Sequence, residues 1–470
     1  KRRGDRARGG ILSSVALRVR QLLALALYAG VLSAFYVAVT WGRELQRTAP
    51  EVFLGAAPLV GQNFRDGWDW RFGWSLIGAG VLGGAVMTLA ARGWYDQARL
   101  RVIVRSTALG AGLFGLLLAL TDGRDGVFYG VEDETEYLAN LPITPPAGDF
   151  VRNFVGDIGD YSVHVRGHPP GFIVLLKFLD AIGLGGSWPV VAISLISSAL
   201  IPVGVLVAVW AIAGGTWVRR SAPFLVVAPY AIWVMTSADA YFAALAAWGV
   251  AFIALGVRRD GRGAAWLGAI GGLFLATLLF MTYGGAIFML MPLVIVGAGW
   301  VSRRSGSFGK GTTSTVVGAV TMALVVTFSW FAAGFWWFEG VEATQTEYWA
   351  GTAQFRIWNY FIFANLVVAL FAVGPATFVG LTKLRDKRLW ILVGGALAAV
   401  IAADLSQLSK GETERIWLLF YPWLVIAGAS LVQRFEFKRL DISKNTMFAG
   451  WIGVQAISAI LLQAALVSKW

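Results

Sequence analysis

Long apolar stretches separated by short polar ones run along nearly the whole chain of 470 residues. Because a bilayer core about 30 Å thick needs roughly 20 apolar residues per helix, each stretch predicts a membrane-spanning helix. Trp residues lie near many of the ends, as is typical of membrane interfaces. We therefore expect an all-α polytopic membrane protein. The pattern predicts thirteen spans, at 21–41, 73–92, 102–121, 188–213, 221–236, 240–257, 264–282, 285–301, 314–333, 359–381, 389–403, 416–432 and 446–468.

One further apolar stretch, 171–183, is short and contains Lys177 and Asp180, so we interpret it as an interfacial or re-entrant helix. With the N-terminus inside, the inner segments then carry 26 Lys and Arg against 6 Asp and Glu, and the outer ones 12 against 21. Counting the stretch as a span would move five later basic loops outside. The positive-inside rule thus predicts a plasma-membrane protein with a cytoplasmic N-terminus and an external C-terminus.

This topology predicts a basic cytoplasmic tail at 1–20 and a single transmembrane domain at 21–470. The tail has no cleavable small-residue site after a short apolar core, so we do not interpret it as a removable signal peptide. Two outer loops are long. The first, 122–187, holds both histidines of the chain, and the second is 334–358. We expect interfacial helices within them.

Composition narrows the class of protein. A chain that is 57% hydrophobic and 14% charged, with a mean hydropathy of +0.67, is neither a soluble enzyme nor disordered. The net charge of +12 would suggest nucleic acid in a soluble protein, but here it follows from the asymmetric placement of basic residues. The absence of cysteine excludes disulfides and Cys-based zinc sites. No P-loop motif is present, which argues against ATP-driven transport.

The first candidate for chemistry is the acidic stretch Glu132-Asp133-Glu134-Thr135-Glu136-Tyr137, in the loop after the third predicted span. Its four carboxylates repel one another unless they are solvated, bound to a cation or protonated. The stretch is therefore either a solvated loop face or the source of a general base that accepts a proton from a sugar hydroxyl.

The second candidate is His168-Pro169-Pro170-Gly171, which opens the interfacial helix. Proline is common at helix starts, so the segment is either a plain helix entry or places His168 to bind a phosphate or a metal. His164 precedes it by four residues, but the pair does not fall in a reliable helix. We assign no metal ligands.

Two more candidates lie at the ends of spans. Asp239, in Ser237-Ala238-Asp239-Ala240, is either a helix cap, a role open to Ser237 too, or a functional carboxylate facing a cavity below the large loop. Arg415 is one of few basic residues on the acidic outer side. It either pairs with Glu412, snorkels to the interface, or grips a phosphate with its planar fork.

In this order and on the predicted outer side, the four segments resemble the GT-C class of integral-membrane glycosyltransferases. The acidic stretch resembles the D-E-x-x-Y pattern of that class, and His168-Pro169-Pro170 resembles its HPP or KPP segment. Asp239 resembles a second acidic position. Arg415 with Tyr421-Pro422 resembles the late R-Y-x-L-P-x-x-P helix, with Ile416 in place of the usual Tyr.

The acidic motif follows the third span rather than the first, and a P-P-G follows it. This layout is more similar to the actinobacterial cell-wall arabinofuranosyltransferases, which often carry an external C-terminal domain. The chain ends at Trp470 on the predicted outside, so we expect that domain to be missing or removed. The resemblance implies an inverting transferase that moves arabinofuranose or mannose from a polyprenyl-phosphate donor. The acceptor would be a cell-envelope glycan, glycolipid or protein outside the membrane.

The resemblance also implies roles for individual residues. Asp133 would be the base, with Glu134 beside it, and Asp239 would orient the acceptor or support Asp133. Arg415 and His168, with Lys177 as a lesser candidate, would bind the donor phosphate. Further substrate-binding candidates are Glu136, Tyr137, His164, Trp337 and Tyr348.

Trp337 and Tyr348 either stack on sugar rings or belong to an interfacial aromatic belt. No organic cofactor is implied, and a divalent cation is left open. Membrane lipids are expected partners, and nucleic acid is not. Two alternatives stay open: a lipid or sugar transporter or flippase without transferase activity, and a non-catalytic membrane assembly factor. A transporter predicts discontinuous helices near mid-membrane and symmetry between its halves.

Overall fold

A computed structural model describes residues 26, 29–49, 67–235, 238–303, 309–432, 435–437 and 440–467. These residues are mostly helical, and the strands are only two or three residues long. The helices are α1 (29–48), α2 (Trp74–Ala91), α3 (Trp94–Gln97), α4 (Leu100–Ala119), α5 (Asp125–Glu132), α6 (Ala147–Asn153), α7 (Val163–Arg166), α8 (Gly171–Ala181), α9 (Ser187–Ile212), α10 (Gly215–Val226), α11 (Asp239–Arg258), α12 (Gly261–Leu279), α13 (Gly285–Phe288), α14 (Leu290–Ser302), α15 (Thr312–Ala332), α16 (Trp337–Ala350), α17 (Trp358–Val373), α18 (Pro375–Lys383), α19 (Lys387–Leu405), α20 (Thr413–Ile416), α21 (Tyr421–Val425) and α22 (Lys444–Ala465).

The strands form two small antiparallel pairs, β1 (Gly67–Trp68) with β4 (Leu466–Val467) and β2 (Phe435–Phe437) with β3 (Leu440–Ile442). The first pair joins the segment before α2 to the end of α22. Short 3-10 turns continue or connect several helices, at Leu120–Asp122, Leu138–Asn140, Ile158–Asp160, Pro229–Trp233, Thr352–Gln354, Trp417–Leu419 and Ile426–Leu431.

Nine helices of the described residues are long and apolar enough to cross a membrane, which confirms the expected all-α polytopic membrane protein. Each coincides with one of the predicted apolar runs. The nine are Trp74–Ala91, Leu100–Asp122, Ser187–Ile212, Asp239–Arg258, Gly261–Leu279, Gly284–Ser302, Thr312–Ala332, Lys387–Leu405 and Lys444–Ala465. As predicted, the stretch at 171–183 forms a short separate helix, α8, of 11 residues.

Of the other four predicted spans, three are interrupted within the described residues and one is described only in part. The run 21–41 lies partly outside the described residues. The run 221–236 leaves α10 for a 3-10 turn at Pro229, whose missing N–H ends the helical ladder. The run 359–381 bends by 95° between α17 and α18, and the run 416–432 is divided among short helical pieces. The count of thirteen spans stays a prediction.

The bend between α17 and α18 lies at Gly374, whose φ of +77° suits glycine. A broken helix leaves backbone groups unpaired, and lipid offers them no partner. Gln455 of α22 supplies both partners: its Nε2 donates to the Val373 carbonyl at 2.6 Å, and its Oε1 accepts from the Ala376 N–H at 3.1 Å. A Cβ at position 374 would lie 2.6 Å from Gln455 Nε2, so only glycine admits this amide.

The two long loops that were predicted outside contact the same end of the helix bundle. Gly171 of the first donates to the Phe280 carbonyl at 3.0 Å, and Trp337 Nε1 of the second donates to the Leu279 carbonyl at 2.8 Å. Both carbonyls lie at the end of α12. We call this end of the bundle the acidic end. It is formed by 122–187, 334–358 and 406–415.

The segments predicted inside meet at the opposite end. Arg219 Nη1 donates to the carbonyls of Tyr95 and Ala98, each at 2.6 Å, and Trp217 Nε1 donates to Asp386 Oδ2 at 3.1 Å. We call this the basic end, and it is formed by 92–99, 213–220, 384–388 and 443–445. The inner segments of the basic end are thus separated from the two long outer loops, while the compartment that each end faces stays a prediction.

We expect Gln455→Leu to destabilise the folded protein by about 1–3 kcal/mol, because it leaves a buried donor and acceptor unpaired. The melting temperature of the detergent-solubilised protein measures the loss. Ser458→Ala is the matched control, since Ser458 is half-buried on the same helix and its described hydrogen bond joins it only to its own turn at Val454. Equal melting temperatures for both variants would show that the amide does not support the bend.

Candidate functional site

Arg415 lies buried at the acidic end, with 3% of its surface exposed, and four ionisable side chains surround its guanidinium. Nη1 is 3.3 Å from Glu136 Oε1 and 3.6 Å from Asp239 Oδ2. Nη2 is 2.9 Å from His164 Nε2 and 3.4 Å from Glu412 Oε2. We call these five residues the Arg415 cluster. They come from three distant parts of the chain.

The contacts of His164 indicate its tautomer. Arg415 can only donate, so the 2.9 Å contact makes His164 Nε2 an acceptor and places the ring proton on Nδ1. Nδ1 is 2.9 Å from Glu136 Oε1, although the angle is poor for a hydrogen bond. Glu136 therefore lies against two donors at once, the imidazole and the guanidinium.

A hydrogen-bonded link between two parts of the first loop positions Glu136 and His164. The side chain of Asn140 donates to the Glu136 carbonyl at 2.8 Å and accepts from the Ser162 N–H at 2.9 Å. Ser162 Oγ donates in turn to the Thr135 carbonyl at 2.8 Å. Since Ser162 immediately precedes α7, this link fixes the turn that bears Glu136 beside the helix that bears His164.

Asp239 is the first residue of α11. Of the nine helices long enough to cross a membrane, α11 is the most enclosed, with 78% of its apolar stretch buried. The N-cap residue of that helix is Ala238, and Asp239 follows it in the first turn. Its carboxylate lies 3.6 Å from Arg415 Nη1, and its interpretation as a helix cap or as a functional carboxylate stays a prediction. Ser237, the other residue proposed as a cap, lies outside the described residues.

A strained segment brings Arg415 into place. Gln407 and Glu412 both have φ of +60°, a conformation that is costly for residues with a Cβ, and Gly411 between them has φ of +90°. Arg356 supports the segment, because it bonds the Lys410 carbonyl and lies 3.4 Å from Glu412 Oε1. Such strain persists only where the surroundings over-determine it, and it is common at functional sites.

Tyr137 and His168 form the wall next to the cluster, with ring centroids 5.6 Å apart. Burial raises the pKa of Tyr137 well above its usual value, and the carboxylates of Asp239 and Glu136 raise it further. Burial lowers the pKa of His168 to about 4, so the ring is neutral at pH 7. His168 Nδ1 lies 2.8 Å from the His164 carbonyl and donates to it, which leaves Nε2 as an acceptor.

The other predicted members of the acidic stretch lie elsewhere on its turn. Asp133 is half-buried, and its carboxylate accepts from Tyr129 Oη at 2.5 Å, Thr135 N at 2.9 Å and Thr135 Oγ1 at 2.5 Å. Glu134 is exposed. The carboxylate of this stretch that is buried in the cluster is thus Glu136, which was predicted only to bind substrate.

Three further predicted residues make structural contacts instead of joining the cluster. Lys177 Nζ donates to the Thr144 carbonyl at 3.0 Å. Trp337 holds α16 to the end of α12 through Leu279, and Tyr348 Oη donates to the Gln407 carbonyl at 3.2 Å. The contacts of these aromatic residues connect the loops of the acidic end.

A narrow crevice leads to the cluster between the first loop, α8 and α9. Its volume is about 10 Å³, which is room for about one water molecule. Apart from Glu136 and Tyr137, the residues of its wall are apolar. It is lined by Gly130, Val131, Glu136, Tyr137, Leu138, Phe172, Leu176, Val190 and Ala238. A sugar phosphate can enter only if these walls separate.

Glu412 and Arg356 belong to the site but were not among the predicted site residues. Glu412 was considered only as the local partner of Arg415. Arg356 had a detectable signal, because it is the single basic residue in the second long loop, which also contains three glutamates. A single basic residue in an acidic loop is therefore a sequence signal for a buried ion pair.

Within the described residues, no group of three or more His, Asp and Glu side chains is arranged to hold a metal ion. In the cluster the guanidinium of Arg415 supplies positive charge among the three carboxylates. Comparison with protein-family models, curated proteins and solved structures finds no significant match for the chain. The site is therefore interpreted from its own geometry.

The lowered pKa of His168 predicts a loss of stability in acid. The unfolded chain binds the proton near pH 6.5 and the folded protein only near pH 4. The stabilisation is therefore complete above pH 6.5 and is lost as the pH falls towards 4. One pKa unit corresponds to about 1.4 kcal/mol, and because the ring is partly exposed we expect less than about 3 kcal/mol in all.

The variant His168→Asn keeps a side-chain donor for the His164 carbonyl but does not titrate in this range. We expect the melting temperature of the wild type to fall more steeply than that of the variant between pH 7 and pH 4.5. Parallel curves would show that another group controls this part of the acid response.

Proposed function

We propose that the protein is an inverting glycosyltransferase of the GT-C type that uses a polyprenyl-phosphate sugar at the acidic end. The observation that carries the proposal is the meeting of all four sequence segments that resemble that class. Glu136 and Tyr137, His168, Asp239 and Arg415 come from separate parts of the chain, and their side chains form one buried polar site. The thirteen-span topology, with this end facing outwards, belongs to the proposal.

The energetics support a functional interpretation of the cluster. Burying an ion costs several kcal/mol, and ion pairing often only repays that cost, so a buried charge cluster is poor evidence of added stability. Ionisable residues at membrane depth usually mark functional sites. The carboxyl groups of Glu136, Asp239 and Glu412 suit a role in proton transfer, and the guanidiniums of Arg415 and Arg356 suit an anionic leaving group.

The chemistry needs a base and an anion-binding group. In the proposed step the acceptor oxygen attacks the anomeric carbon, and its proton passes to a carboxylate. The bond from the anomeric carbon to the phosphate oxygen breaks, and the electron pair leaves with the phosphate. Direct displacement inverts the anomeric centre. The transition state has oxocarbenium character, so a nearby carboxylate stabilises it.

We assign the base to Glu136 rather than to Asp133. Glu136 lines the crevice, whereas the carboxylate of Asp133 already accepts three hydrogen bonds on the opposite side of the turn. Arg415 would turn from its carboxylates to the departing phosphate, and its contact with Asp239, at 3.6 Å, is the longest of the four. Asp239, released in this way, would orient the acceptor hydroxyl.

The test is to incubate membranes that contain the protein with radiolabelled polyprenyl-phosphate arabinofuranose or mannose, one at a time, and to analyse the products. We expect Glu136→Gln and Asp239→Asn each to lower turnover about 10²–10⁴-fold, the usual effect of losing a positioned acid–base or charge-stabilising group. Asp133→Asn should lower turnover less than Glu136→Gln does.

Asp149→Asn is the control, because Asp149 is an exposed acid of the same loop that pairs only with its neighbour Arg152 at the surface. Melting temperatures show whether each variant is folded. A folded Glu136→Gln protein with wild-type turnover would refute the assignment of the base. Failure of the wild type to transfer either sugar would count against the proposed reaction.

The second candidate, a lipid or sugar transporter, is favoured by one observation. The break of 95° at Gly374 is a discontinuous helix of the kind found in transporters. The same assay separates the two functions, because a transferase releases polyprenyl phosphate from its donor, whereas a flippase leaves the bond between sugar and phosphate intact.

A further inference from the structure

A second cavity lies at the basic end, far from the Arg415 cluster. It opens between the ends of α2, α10 and α22 and has a volume of about 140 Å³. By the same measure one water molecule needs roughly 10–15 Å³, so the cavity has room for several waters, enough for one phosphoryl group. Its wall comprises Ala90, Gly93, Tyr95, Asp96, Arg219, Arg220, Val432, Lys444, Asn445 and Phe448.

The charge of this wall is positive. Arg219, Arg220 and Lys444 line the cavity against a single acid, Asp96. In the part of the chain that the structure describes, none of the three basic side chains forms an ion pair within 4 Å. Among the described residues, no carboxylate within 4 Å neutralises their charge.

Both arginines are held by described contacts that involve no acid. Arg219 Nη1 bonds two backbone carbonyls, which fixes the plane of the guanidinium at the wall. The guanidinium carbon of Arg220 lies 5.6 Å from the centroid of the Trp217 ring. A guanidinium that stacks on an aromatic ring is already ordered, and its N–H donors point away from the ring. Less conformational entropy is therefore lost when it binds an anion.

The first turn of α22 completes the wall. Lys444 and Asn445 open this 22-residue helix, whose N-terminus carries partial positive charge. Gly93, with φ of +70°, lies so close that a Cβ there would be 3.0 Å from Asn445 Nδ2. The glycine thus permits the close approach of α22 to the end of α2 that shapes the cavity.

From these observations we infer that the cavity binds a phosphate monoester or diester, either as the headgroup of an anionic lipid or as a free phosphate. Basic pockets between membrane helices commonly bind anionic headgroups. The inference is independent of the proposed transferase activity.

The test uses the purified full-length chain in a neutral detergent, with the melting temperature as the readout. Phosphatidylglycerol, phosphatidylcholine and inorganic phosphate are titrated separately. We expect phosphatidylglycerol to raise the melting temperature and phosphatidylcholine not to. A comparable effect of inorganic phosphate would identify free phosphate as a sufficient ligand, and its absence would identify the lipid.

Removal of two cavity charges by Arg220→Gln with Lys444→Gln should raise the phosphatidylglycerol concentration needed for half the effect roughly tenfold or more. The control is Lys387→Gln with Arg388→Gln, which removes the same charge from exposed positions at the same end, outside the cavity. If the double variant does not fold, Lys444→Glu alone replaces it, because Lys444 is exposed. Equal responses of cavity and control variants, or no response of the wild type to either phosphate, would overturn the inference.

Discussion

The acidic end of the structure depends on the pairing of one buried guanidinium with carboxylates from distant parts of the chain. Arg415 is 3% exposed and contacts Glu136 of the first long loop and Asp239 at the head of α11. Removing one partner of such a pair typically costs about 3–5 kcal/mol, because the other charge stays buried alone. The first loop, the most enclosed membrane helix and the segment before α20 are therefore held in one arrangement.

The fold could be predicted wherever a local property decides it. Nine spans follow from apolar length alone, because lipid requires an apolar surface along each helix. The bend at Gly374 could not be predicted in this way, because its backbone groups are satisfied by Gln455, about 80 residues later in the chain. Hydropathy also gives no sign that 416–432 is divided into short pieces.

The sequence segments that meet at the site could be predicted, but the role of each residue within them could not. The order of the motifs was enough to name Asp239, His168 and Arg415, and His164 was named as a neighbour of His168. The choice among neighbouring acids depends on tertiary structure, because the link between Asn140 and Ser162 turns Glu136 inwards and leaves Glu134 exposed. The closed crevice, about 10 Å³ in volume, implies in addition that any substrate larger than water enters only after these segments move.

The central claim is that the Arg415 cluster receives a lipid-linked sugar phosphate. The most direct measurement is an experimental structure of the protein in lipid with a non-transferable phosphonate analogue of a polyprenyl-phosphate sugar. The account predicts that the crevice is opened, that the phosphonate contacts Arg415, and that the sugar lies beside Glu136. Analogue density away from the acidic end, with the cluster still closed around Arg415, would contradict it.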